Sequence, residues 1–190
     1  MLLTSLDIKE PGLNSLPPGV ERYLVEGEGL TGIQILPDDE IKIINNEGNQ
    51  ICEISVFNKD WKSELAILGL KKIKDNSEIK KILFKKDETS LQALLQLKKR
   101  NLNIEKSKSS IIFDKETKAG ESIKLKSKDK CYCIIAAPGN EMMVYEQNPS
   151  TELTVMVKRS IIKKDKEFSI IPDPIYDPLN EINIERTTAN

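Results

Sequence analysis

The sequence has no histidine anywhere in its 190 residues. That absence removes the imidazole general base at neutral pH, Ser-His-Asp and Cys-His nucleophile systems, and His-ligated zinc. Aromatic residues make up only 5% of the chain, and arginine occurs only as Arg22, Arg100, Arg159 and Arg186. Stacking platforms and bidentate phosphate contacts are therefore in short supply. No charge sign dominates: 29 basic and 30 acidic side chains leave a net charge of -1. Without an uncompensated basic surface, neither nucleic acid nor an anionic membrane is an expected partner. No run of about 18 apolar residues appears, so no membrane-spanning helix is expected. The opening MLLTSLDIK lacks the basic start and long apolar core of a secretory signal. Cysteine is scarce too. Cys52, Cys131 and Cys133 are an odd number in a sizeable chain and do not form a disulfide framework. The expected location is the cytoplasm. Lysine and isoleucine are abundant beside scarce arginine, which reads as coding bias and lowers the functional weight of lysine runs.

What remains is mostly β pattern. Residues 11–19 (PGLNSLPPG) are turn-rich, with little room for a helix. Runs with β character follow at 22–25, 31–36 and 40–44. The last leads through Asn45-Asn46-Glu47-Gly48-Asn49 into the return strand 50–57 (QICEISVF), and the pattern predicts a hairpin. On that strand Cys52, Ile54 and Val56 point one way and form the expected core face, while Ile51, Glu53, Ser55 and Phe57 point the other. Residues 61–70, 77–84 and 90–100 switch to helical spacing, with Leu91, Leu94, Leu95 and Leu97 as an apolar stripe and Thr89 or Ser90 as N-cap. β character resumes at 110–113, 122–125, 130–137, around Val144, and at 151–158. The expected fold is mainly β, an antiparallel sandwich or distorted barrel, with a helical insertion around residues 61–100. Residues 1–170 are expected to form this one domain. Residues 171–179 (IPDPIYDPL) read as a stiff proline-rich linker, and the alternating 181–185 as the start of a following domain.

Several motifs lack the surroundings that their chemistry requires. Gly27-Glu28-Gly29-Leu30-Thr31-Gly32 fits the dinucleotide fingerprint, but an extended run ending at Pro37 follows where a helix N-terminus is required. Cys131 and Cys133 share one face of an apolar strand. With Cys52 they supply three soft ligands, yet structural zinc draws its thiolate pairs from turns with longer spacing, so buried inert thiols are expected and no metal is. About 7 Å along an extended strand separates the two side chains, which argues against a disulfide between them. The lysines at 71, 72, 74, 80, 81, 85 and 86 read as a solvated outer face, and Asp38-Asp39-Glu40 as a charged turn. Glu146, Gln147 and Asn148 lie in a polar, proline-bounded loop on a β scaffold, the place where ligand-contacting groups tend to sit. They are the candidate ligand residues; no catalytic, metal-binding or cofactor-binding residue emerges from the pattern.

Three passages together carry a resemblance: residues 40–57 (EIKIINNEGNQICEISVF), 134–151 (IIAAPGNEMMVYEQNPST) and the proline tail 171–181. They resemble the urea-carboxylase-associated domain family, in the degenerate form found N-terminal to folate-dependent aminomethyltransferases similar to the glycine-cleavage T-protein. Asn45 and Asn46 depart from the acidic residue usual before the turn, and Glu53 stands where an aspartate is usual. The resemblance implies a non-catalytic N-terminal accessory domain. Its partners would be downstream domains of the same chain, and tetrahydrofolate would belong to the parent chain and not to this segment. The alternative is a stand-alone small-molecule-binding β-domain using the loop at Glu146, Gln147 and Asn148.

Overall fold

A computed structural model of the protein describes residues 16–17, 19–71, 74–75, 77–85, 88–99, 102–139 and 149–160. Among the described residues nine strands form two antiparallel sheets, the mainly β sandwich that the alternation predicted; the run expected around Val144 lies outside those residues. The strands are β1 (Val20–Val25), β2 (Gly29–Ile35), β3 (Glu40–Asn45), β4 (Cys52–Asn58), β5 (Lys74–Asp75), β6 (Lys108–Phe113), β7 (Ser122–Lys126), β8 (Cys131–Ala137) and β9 (Leu153–Lys158). The first sheet runs β1-β9-β3-β7 and the second β2-β8-β4-β6-β5. Between them lies an apolar core that includes Val25, Ile33, Ile35, Ile41, Ile43, Cys52, Ile54, Val56, Val155 and Val157. Each such aliphatic side chain contributes about 1.5–3 kcal/mol by leaving water.

Cys52, Ile54 and Val56 do face that core. The expected hairpin does not form. β3 pairs with β7 and β9 in the first sheet, whereas β4 pairs with β6 and β8 in the second. Residues 45–51 therefore carry the chain across the sandwich. Gly48 does supply a positive φ of 82°, and an added Cβ would lie 2.6 Å from the Ala119 nitrogen, so the crossing is packed against the β6–β7 connection.

The helical insertion covers the outer face of the second sheet. It holds α1 (Ser77–Leu83) and α2 (Glu88–Lys99). Ile79, Ile82, Leu83 and Leu97 pack with Leu102 and Ile104 over Phe57, Ile134 and Ala136. Glu78 in the first turn of α1, and Lys98 and Lys99 in the last turn of α2, complement the helix dipoles. β4 is thus buried on both faces, which the alternation alone did not announce.

Two helical expectations are corrected. Ser90 lies inside α2, and its buried hydroxyl donates to the Ile82 carbonyl at 2.9 Å, tying the helices together. It is not an N-cap. Residues 61–70 contain only a single 3-10 turn, Leu65–Leu68, closed by Gly69 at φ 70°. Asn58 claims the preceding residues, its side-chain oxygen accepting from the Asp60 and Lys62 nitrogens at 3.0 Å each. The resulting turn puts Trp61 at φ 60° and stacks its ring 4.3 Å from that of Tyr132.

Candidate functional site

Two networks of polar groups lie at the two ends of the sandwich. At one end β9 runs out into Arg159. Its guanidinium donates to Glu21 Oε1 at 2.9 Å and Oε2 at 2.5 Å, to Asp39 Oδ2 at 2.7 Å, and to the Gln34 carbonyl at 2.9 Å. Asp39 is fully buried, accepting also from the Leu36 and Ser160 nitrogens at 2.9 and 2.8 Å. Asp39 is therefore more than the middle of a charged turn, because its buried carboxylate locks three segments together. Burial acts to lower the Arg159 pKa, but hydrogen bonds and charge from Glu21 and Asp39 outweigh it and hold the group above its ordinary value. Tyr23 donates to Glu21 at 2.7 Å; burial first, and that carboxylate second, push its hydroxyl above the usual range.

The opposite end is built from neutral amides. The Asn45 amide nitrogen donates to the Gln50 carbonyl at 2.8 Å, and its oxygen accepts from the Gly48 nitrogen at 3.0 Å. The buried Gln50 side chain donates to the Pro138 carbonyl at 2.8 Å and to the Ile51 carbonyl at 3.0 Å, and accepts from the Thr151 nitrogen at 2.8 Å. Gln50 thus joins the exit of β8 to the approach to β9. The connection between them contains Glu146, Gln147 and Asn148, which lie outside the described residues, as do residues 171–190.

Glu53 does lie on the face of β4 turned away from the sandwich core, but that face is not solvated. It sits fully buried on the outer face of β4, beneath α1. Its carboxylate accepts from the Ser109 hydroxyl at 2.5 Å and from the Ile79 backbone nitrogen at 2.7 Å. A backbone donor of the first helical turn would otherwise be unpaired there, so Glu53 anchors the helical insertion to the sheet. The sequence carried little signal for this, because burial of the outer face of β4 comes from the helical insertion that covers it. Nearby, an open cleft of about 270 Å³ is lined by Ile51, Glu78, Ile111, Asp114, Lys115 and Glu116. Ile51 and Ile111 give it an apolar part, and Glu78, Asp114 and Glu116, with Lys115, a charged one.

The three cysteines are free and buried. Cys131 and Cys133 share a face, as expected, and their sulfurs lean to 4.0 Å from each other, closer than strand spacing alone implies. The hydrogen bond shared with Cys133 draws the Cys131 thiol below its ordinary value against the effect of burial. That bond together with burial pushes Cys133 well above. Burial likewise pushes Cys52 up. Among the described residues, no group of three or more Cys, Asp or Glu side chains is arranged to hold a metal ion. No described helix is long and apolar enough to cross a membrane. Gly29–Ile35 is a strand, so the glycine-rich motif does not open a helix.

No known family profile matches the chain. A solved structure of a DUF1989 family protein from Silicibacter pomeroyi DSS-3 has a TM-score of 0.43 at 8% identity, covering 75% of this chain and 80% of that one. The chain is also 33% identical over 183 residues to the trimethylamine-oxide aldolase of Ruegeria pomeroyi, a match that takes in 96% of this chain and 23% of that relative. The chain therefore spans about a quarter of the length of the relative it matches.

Proposed function

We propose that this chain is a non-catalytic accessory domain of a larger enzyme acting on trimethylamine N-oxide or a related methylated amine. The observation that carries the reading is the match itself: nearly the whole chain aligns at 33% identity with 23% of a trimethylamine-oxide aldolase. The use of the buried polar groups supports it. Arg159, Asp39, Asn45, Gln50 and Glu53 are all engaged in joining strands, connections and helices. The resemblance to domains preceding folate-dependent aminomethyltransferases adds the finer part, in which tetrahydrofolate binds elsewhere in the parent chain. The test follows the N-methyl proton signal of trimethylamine N-oxide. This chain alone leaves it unchanged. A parent polypeptide consumes it, and traps the released carbon when tetrahydrofolate is added. Turnover by the 190-residue chain alone overturns the accessory reading.

A second reading, a small-molecule-binding domain, is favoured by the cleft over Ile51 and Ile111 with its carboxylate rim. Titration with tetramethylammonium separates the two. Saturable shifts of the Ile51 and Ile111 methyl signals support a binding module, and unmoved signals leave the accessory reading ahead. The loop at Glu146, Gln147 and Asn148 belongs to the same proposal. A thermal shift by trimethylamine N-oxide that disappears in Gln147→Ala would place the ligand there instead.

A further inference from the structure

Helix α2 carries more apolar surface than its seat on the sheet uses. Leu97 is buried and Leu94 partly buried against the second sheet, with Ser90 buried on the same side. Leu91 and Leu95, one position along from that stripe, are 50% and 58% exposed. Phe84, just past the end of α1, is 46% exposed. Apart from Leu16, these are the exposed large hydrophobic residues among those described. A helix lying on a sheet ordinarily presents polar residues at such positions.

The pattern on this outward face is self-complementary. Positions 88, 91, 95 and 98 recur at alternating three- and four-residue spacing and so share one face of α2. They read Glu, Leu, Leu, Lys. A two-fold axis passing beside position 93 lies midway between 91 and 95 and also midway between 88 and 98. Two α2 helices packed antiparallel about that axis set Leu91 of one copy against Leu95 of the other. The same operation sets the acidic position 88 opposite Lys98 at both ends, and it aligns the helix dipoles head to tail. A parallel pairing would oppose like charges instead.

We infer that α2 is a homodimerisation face and that a second copy of this chain covers Leu91 and Leu95. The contact goes beyond the accessory role and stands whether or not that role holds. A single helix pair buries a modest area, so the dimer is weak, with a dissociation constant of about 10–100 µM.

Sedimentation velocity on the 190-residue chain, from about 5 µM to about 500 µM, tests it. The unaltered chain shifts from monomer to dimer across that range. Leu91→Gln with Leu95→Gln weakens association at least tenfold, and matched far-UV circular dichroism shows that the fold is retained. Glu88→Lys or Lys98→Glu alone weakens it several-fold, and the two together restore it to within about threefold, as reciprocal pairing requires. A chain that stays monomeric throughout overturns the proposal. So does a double charge exchange that fails to restore association, which would indicate unspecific apolar sticking. A monomeric chain whose α2 amides become protected only within a longer polypeptide would assign the face to another domain and overturn it as well.

Discussion

The two ends of the sandwich solve the same problem with different chemistry. Each must bring separate connections together where the sheets run out. At the Arg159 end the join is ionic, one guanidinium spanning Glu21 and Asp39. At the Gln50 end it is neutral, amides reading backbone groups of residues 51, 138 and 151. The ionic join gains strength from charge and low dielectric but leaves a buried carboxylate exposed to any loss of its partner. The neutral join has weaker bonds and little to lose when salt or pH changes. An end that must hold fixed suits the first chemistry. The second chemistry suits an end whose geometry has to survive a change of charge nearby.

Breaking the ionic end should cost most. Arg159→Ala strands the Asp39 carboxylate, which is fully buried, while the guanidinium itself is only 14% exposed. A loss of about 3 kcal/mol is expected, read as a lower urea midpoint at unchanged slope. Gln50→Ala comes next at about 2 kcal/mol, because it unpairs the Pro138 carbonyl and the Thr151 nitrogen in a closed site. The comparison predicts that added salt leaves the Gln50→Ala deficit unchanged. If both deficits respond alike to salt, the distinction between the ends fails.

Glu53 sharpens the comparison because, among the described residues, its carboxylate is met by neutral donors, the Ser109 hydroxyl and the Ile79 nitrogen. Glu53→Gln keeps the shape but turns one of its two accepting oxygens into a donor, facing either the Ile79 nitrogen or the Ser109 hydroxyl. The expected cost is about 1–2 kcal/mol, concentrated in the helical insertion. Hydrogen exchange should show α1 and α2 amides losing protection while β3 and β9 keep theirs. Uniform loss across both sheets would mean that the insertion and the sandwich unfold as one unit.

The strands were legible because period-2 alternation is local: Cys52, Ile54 and Val56 face the core as the pattern requires. Pairing was not legible. Whether residues 45–49 close a hairpin or cross between sheets depends on Asn45 and Gln50 being buried against each other and against residues near 117 and 138, contacts that no short window contains. The Asp39–Arg159 bond joins residues 120 apart, so a run of three acids read as no more than a charged turn. Apolar spacing over 61–70 imitated a helix, because Leu65, Ile67 and Leu68 reach the core from a single 3-10 turn. In α2 the four leucines looked like one stripe, yet Leu94 and Leu97 face inward while Leu91 and Leu95 face out. The candidate ligand residues had no such test, since Glu146, Gln147 and Asn148 fall outside the described residues.

The smallest effect belongs to alkaline pH, and it separates the ends most cleanly. Tyr23 at the ionic end keeps its proton in the folded protein to higher pH than in the unfolded chain, because burial and the bond to Glu21 both disfavour the phenolate. Above about pH 10 the unfolded chain gives up a proton that the folded one retains. The folded state then binds more protons, so stability falls as pH rises, by up to about 1.4 kcal/mol per pH unit for one such group. Cys52, pushed up by burial, contributes in the same direction from about pH 9. Tyr23→Phe should therefore change stability by less than about 1 kcal/mol at neutral pH while flattening the fall above pH 10. Gln50→Ala should shift the whole curve down without altering its slope, because an amide does not titrate. Denaturant midpoints from pH 7 to about pH 11 distinguish the two. A Gln50→Ala curve with a changed alkaline slope would mean that the neutral end is electrostatically coupled to the ionic one, and the two ends would then have to be treated as a single network.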